Sequence, residues 1–151
     1  MRRRILYRTP GPYVQLSANS LLKSNELTHI QTDGSFSQHN NNISRTAVIL
    51  VKPTGFKYTL CTTYFEHVNS AESEWQSIVD GITYGIKKQS KSIELENDNL
   101  NIINSLIEKK RPLPLYSDYY YHIFDLVKSL DWIGIRWIPR KLNKANNLFR
   151  L

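Results

Sequence analysis

Between residues 27 and 65 the apolar positions alternate with polar ones or form short unbroken runs, whereas beyond residue 70 they recur at every third or fourth place. The first pattern is that of strands and the second that of helices. Residues 27–32 predict a short strand broken by Asp33-Gly34-Ser35, and the asparagine-rich stretch 38–42 predicts a polar turn. Residues 46–51 (Thr-Ala-Val-Ile-Leu-Val) predict a buried strand, followed by a turn at Pro53-Thr54-Gly55. Residues 57–65 alternate, with Tyr58, Leu60, Thr62 and Tyr64 on one side and Thr59, Cys61, Thr63 and Phe65 on the other. Three strands joined as a meander result.

Trp75, Ile78, Val79, Ile82 and Ile86 then share one face of a helix expected over 71–88, with Asn69-Ser70 as its cap and Glu72 and Glu74 in its first turns. A strand at 92–95, a helix over 98–109 stopped by Pro112 and Pro114, a helix over 118–130, a strand at 133–138 and a short terminal helix over 143–151 complete the order. Three strands followed by helix, strand, helix, helix, strand, helix predict an α/β fold. Its five-stranded mixed sheet would join an antiparallel meander to two parallel strands reached through helical crossovers, with helices on both faces.

Composition sharpens this picture in three ways. At 151 residues and 40% hydrophobic content, the chain is the size of one domain. Residues 1–25, with Arg2, Arg3, Arg4 and Arg8 and the Pro10-Gly11-Pro12 break, read as a basic arm or linker ahead of a domain spanning 26–151. A net charge of +7, from 20 basic and 13 acidic residues, favours a polyanionic partner, nucleic acid or anionic membrane. No apolar run approaches the length that spans a bilayer, and no apolar core follows the leading arginines, so a soluble, unexported protein is expected. The lone Cys61 excludes an internal disulfide, fits a reducing compartment and reads as a small buried hydrophobe.

The chemistry resides in three acidic residues. Asp33 falls at the end of the first strand, Glu74 near the start of the first helix, and Asp98 after the fourth strand where a helix opens. Taken singly, each has an ordinary structural use: a turn residue before glycine, a helix-start charge, an N-cap. Together they lie where an open α/β sheet builds its site, and converging carboxylates need a divalent cation between them. Oxygen ligands of this kind suit Mg²⁺ or Mn²⁺.

The segments Thr32-Asp33-Gly34-Ser35, Glu74-Trp75-Gln76-Ser77-Ile78-Val79-Asp80-Gly81-Ile82 and Asn97-Asp98-Asn99, with Trp137-Ile138-Pro139-Arg140-Lys141-Leu142-Asn143-Lys144 near the end, resemble the successive motifs of type 1 ribonuclease H. The resemblance covers 27–151 and implies the ribonuclease H-like fold. It also implies hydrolysis of the RNA strand of an RNA–DNA hybrid by a two-metal mechanism, leaving 5′-phosphate and 3′-hydroxyl ends. It singles out Glu74, with Glu72 left as a solvated first-turn charge.

In that family the last loop carries the pattern Asn-x-x-Ala-Asp, whose aspartate is the fourth carboxylate. Counted from Asn143 this position is Asn147, and no aspartate follows Asp131. The resemblance thus implies Asp33 bridging two cations, Glu74 and Asp98 holding one, and Asn147 helping to hold the other through its carbonyl, without charge. It further implies substrate contacts from Gly34, Ser35, Asn69, Ser70, Arg140, Lys141 and Asn143, with Glu74 also suited to a ribose 2′-hydroxyl.

Lys109-Lys110-Arg111, Arg136 and Lys144 would add phosphate-neutralising charge. Trp75 reads as core. The family's loop histidine is missing, and His29, His39, His67 and His122 read as structural or surface residues. Intracellular placement, in the cytoplasm, is expected. Two alternatives stay open: a nucleic-acid-binding module of this fold whose site has decayed, and another nuclease of the superfold, of resolvase or transposase type.

Overall fold

The computed structural model describes residues 9–16 and 26–150. Strand β1 is Val14–Gln15, β2 Thr28–Ser37, β3 Ile43–Val51 and β4 Lys57–Tyr64. Helix α1 is Ser70–Lys87, β5 Ser92–Asn97, α2 Leu100–Ile107, α3 Ser117–Val127 and β6 Trp132–Trp137. Two 3-10 segments, Arg140–Leu142 and Lys144–Arg150, follow β6. The single sheet has the order β1-β6-β5-β2-β3-β4, with β2, β3 and β4 antiparallel and β5 parallel to both β2 and β6.

The mixed sheet with a meander and two parallel crossovers matches the sequence expectation, but it has six strands and not five. The sixth is β1, from the stretch expected to be an arm. Tyr13-Val14-Gln15-Leu16 follows the prolines and alternates in the strand period, so Val14 pairs with Ile135 and Leu16 N donates to the Ile133 carbonyl. Leu16 is thereby buried in the main core. The clustered arginines at 2, 3, 4 and 8 lie outside the described residues.

All three α-helices pack on one face. Ile30, Val48, Leu50, Ile93, Leu95, Ile133 and Ile135 from the strands meet Trp75, Ile78 and Ile82 of α1, Ile102, Ile103 and Leu106 of α2, and Ile123 of α3. Trp75 is thus a core residue, stacked on Tyr116. On the other face the 3-10 segment Lys144–Arg150 covers part of the sheet. Ala145, Leu148 and Phe149 of that segment pack on Ala47 and Ile49 over the meander. The expected terminal helix is therefore 3-10, and it packs over β2 and β3.

Cys61 is exposed on edge strand β4, contrary to the expectation of a buried thiol. The alternation across 57–65 placed it opposite Leu60, and Leu60 takes the core side. His67 is buried and hydrogen-bonded to Ser44 Oγ (2.6 Å), while His39 and His122 are exposed. No helix is long and apolar enough to cross a membrane.

Candidate metal centre

The sequence reads Asp33-Gly34-Ser35 as a turn, yet β2 runs straight through it because β3 pairs with it along the whole length, from His29↔Val51 to Ser37↔Ile43. Parallel pairing with β5 stops earlier, at Gln31↔Glu96. Asp33 is thus in mid-strand on one side and just beyond the carboxyl end of the parallel ladder on the other. There it faces the residues that follow β5.

Gly34 sets how closely α1 approaches. A Cβ at this position would lie 2.5 Å from the carbonyl carbon of Ser73 and 2.7 Å from Glu74 N, so only glycine admits the helix start. With that clearance, Gly34 N–H donates to Glu74 Oε1 at 2.6 Å and to Asp33 Oδ1 at 2.9 Å. Helix α1 is held in register by its cap: Asn69 Oδ1 accepts from Glu72 N (2.9 Å) and Asn69 Nδ2 donates to Tyr116 OH (3.0 Å). Glu72 is not merely solvated. Its carboxylate accepts from Val68 N and from Tyr119 OH, closing the capping motif.

Asp98 comes from the other side. Asn97 is fully buried and donates through Nδ2 to the carbonyl and hydroxyl oxygens of Thr32 (3.1 and 3.0 Å), joining the end of β5 to β2 where backbone pairing has stopped. Trp137 Nε1 donates to the Asp98 carbonyl (3.0 Å), and Asn99 caps α2 by accepting from Ile102 N (3.1 Å). These contacts hold Asp98 beside Asp33 and Glu74.

One ligand oxygen from each of Asp33, Glu74 and Asp98 lies within 4.8 Å of the others. Burial, then the neighbouring carboxylates, push Asp33 and Glu74 well above the usual carboxylate range. Burial raises Asp98 too, against hydrogen bonding from Asn143 and the charge of Arg140. Asp98 Oδ2 is buried with no hydrogen-bond partner. Three carboxylates so close, one of them with an orphaned buried oxygen, could hold a cation between them, and such a donor set suits a hard divalent ion.

The cleft beside this cluster has a volume of about 390 Å³ and is lined by Gly34, Ser35, Ser70, Glu74, Asn99, Arg140 and Asn146, with Phe36 and Ala71. Gly34, Ser35, Ser70 and Arg140, four of the residues expected to contact substrate, thus line this cleft. Asn69 is spent on capping, and Lys141 is exposed on the 3-10 turn outside the cleft. Asn143 is 3% exposed and lies beneath the site, donating to the Thr32 carbonyl (2.8 Å) and holding Asp98. Arg136 is not a free cation. It is bonded to Glu96 and lies over the Tyr13 ring.

Asn147 is exposed and lines no part of the cleft; Asn146 does. In a 3-10 helix side chains three apart share a row. Lys144, Asn147 and Arg150 therefore form the exposed row, Ala145 and Leu148 face the sheet, and Asn146 falls on the side of the cleft. Of the two asparagines, Asn147, the position counted from Asn143, is the exposed one, and Asn146 is the one that lines the cleft. The signal in the sequence is Ala145, a small residue buried against the sheet, which places Asn146 directly after it beside the cleft.

Residues 31–149 match the family described as reverse transcriptase-like. No curated protein matches the chain in sequence. Among solved structures, ribonuclease H1 of the halophilic archaeon Halobacterium salinarum superposes with a TM-score of 0.70 at 17% identity, covering 79% of this chain and 90% of that one. The N-terminal ribonuclease H domain of a Mycobacterium tuberculosis protein gives 0.68 at 15%, covering 83% and 95%. A ribonuclease H1 in complex with an RNA/DNA hybrid gives 0.69 at 15%, covering 80% and 92%. At such identities the likeness is one of fold: the sheet and helices are those of ribonuclease H.

Proposed function

Because the chain belongs to the reverse transcriptase-like family and has the ribonuclease H fold, we propose that it is a divalent-cation-dependent endoribonuclease. Its substrate is the RNA strand of RNA–DNA hybrids, and its products carry 5′-phosphate and 3′-hydroxyl ends. The observation that carries this reading is the meeting of Asp33, Glu74 and Asp98, with Asp98 Oδ2 buried and unpartnered. A decaying site has no reason to retain such costly like charges.

Asp33, Glu74 and Asp98 would hold Mg²⁺ or Mn²⁺, with the Asn146 carbonyl on the open side. Held there, such a cation would supply Lewis-acid chemistry, acidifying a water and offsetting charge on the leaving 3′ oxygen. The chain's own groups orient and neutralise. Gly34 N–H fixes the carboxylates of Asp33 and Glu74 against each other, so neither has to be reorganised when substrate arrives. Arg140 lines the same cleft, and its charge draws the pKa values of Asp33 and Asp98 down, so it is placed to receive a backbone phosphate. Ser35 and Ser70 offer hydroxyls along the same wall, and Glu74 is close enough to the opening to accept from a ribose 2′-hydroxyl.

A labelled RNA–DNA hybrid incubated with either cation tests the proposal; no cleavage under both rejects it. A second reading, a hybrid-binding module without turnover, draws on one observation: the segment after β6 brings an amide, Asn146, and no carboxylate to the cleft. Tight hybrid binding with no cleavage would select that reading. Cleavage of branched or double-stranded DNA alone would instead point to a different nuclease of the same fold.

A further inference from the structure

On the sheet face opposite the α-helices, the carboxylate of Glu96 is 3% exposed and is filled with donors. Tyr13 OH (3.0 Å) and Arg136 reach Oε2, and Gln31 Nε2 (2.8 Å) reaches Oε1, which also lies 3.0 Å from His29 Nε2. A carboxylate surrounded in this way can only accept, so the neighbouring Gln31 has to turn its amide nitrogen towards it. The orientation of Gln31 is therefore not free.

The rest of the Gln31 amide reaches the loop that carries the cleft residues. Nε2 also donates to the Leu142 carbonyl (3.2 Å), and Oε1 accepts from Lys144 N (2.9 Å). These two bonds bracket Asn143, whose own Nδ2 donates to the carbonyl of the next strand residue, Thr32. Asn143 Oδ1 in turn accepts from Ala145 N (3.2 Å), and Asn146 follows. Arg140 stands at the head of the same loop, so each group it contributes to the cleft hangs from one strut.

We infer that Gln31 is a positioning residue: a side chain oriented by Glu96 that fixes the 140–146 loop, and through Asn143 the carboxylate of Asp98, in the geometry the reaction needs. Second-layer partners of this kind, which touch neither cation nor substrate, govern affinity and rate through the groups they hold. For its activity readout the inference rests on the proposed nuclease reading; its structural readout does not.

The test uses the full chain and two variants. Gln31→Leu removes both loop bonds, and Gln31→Glu keeps the shape while setting an acceptor against Glu96 and the Leu142 carbonyl. Both are expected to lower kcat on an RNA–DNA hybrid roughly 10-fold with little change in KM, and to weaken Mn²⁺ binding several-fold by calorimetry. Amide exchange at Ala145, which makes no bond to Gln31, should accelerate in both.

Unchanged Ala145 exchange, or a Gln31→Glu variant with wild-type kcat and Mn²⁺ affinity, overturns the inference. A loss confined to melting temperature, with kcat and Mn²⁺ affinity intact, also overturns it, since that is mere fastening. Should the wild type itself fail to cut hybrids, the nuclease reading falls, and Ala145 exchange still decides the role of Gln31.

Discussion

The N–H of Gly34 donates to Glu74 Oε1 at 2.6 Å, across a gap that a single methyl group would close. A strand and a helix start, 40 residues apart in sequence, meet backbone to backbone at the point where two carboxylates need to face each other.

Gly34→Ala is therefore expected to push α1 away from β2, costing about 1–3 kcal/mol as overpacking usually does, and to separate Asp33 from Glu74. Thermal unfolding with cation titration checks this. Gly11→Ala, where a Cβ would meet nothing within 4 Å, is the control and should leave both measurements unchanged.

Asp33→Asn removes one of the three clustered carboxylates while preserving its shape. Cleavage is expected to vanish, while the cation-free protein becomes more stable by about 1–2 kcal/mol because the remaining pair no longer faces a third buried charge. A variant that both loses activity and unfolds would contradict the electrostatic account.

The same carboxylates set a pH dependence. Burial and mutual repulsion raise Asp33 to about 6 and Glu74 to about 9, from 3.8 and 4.5. Above pH 4 the folded chain thus binds more protons at these sites than the unfolded chain, so this contribution to stability falls as pH rises from about 4 towards 9. Mn²⁺ should reverse the trend, stabilising the protein more at pH 8 than at pH 5 in thermal-shift measurements. An equal shift at both pH values would remove these residues from the site.

Asn146→Asp is expected to tighten cation binding severalfold by restoring a charge on the open side of the cleft, and Asn147→Asp to leave it unaltered. Calorimetry on the two variants separates the positions. The opposite ranking would mean that the 3-10 segment faces the cleft differently in solution.

Glu96 predicts acid sensitivity of another kind. Burial alone would raise its pKa, but hydrogen bonds from His29, Gln31 and Arg136 outweigh it and bring the carboxyl down to about 2. Its contribution is present above pH 4.5 and disappears as pH falls through 2. Glu96→Gln should be less stable at neutral pH and lack this part of the acid transition, measured by urea unfolding between pH 2 and 5.

Read alone, the sequence determined the order of elements, the mixed sheet and the three acidic positions, because strand and helix periods and short motifs are local signals. The helix start at Asn69 and the core face of Trp75 and Ile78 follow from the same periodicity. Only tertiary structure decided the rest. Pairing with β3 turned Asp33-Gly34-Ser35 from a turn into mid-strand, and β6 drew Val14 into the sheet from a stretch that reads as a linker. The 3-10 row turned Asn146, not Asn147, to the cleft. Each of these depends on a partner far along the chain, whose hydrogen bonds and contacts outweigh what neighbouring residues prefer by themselves.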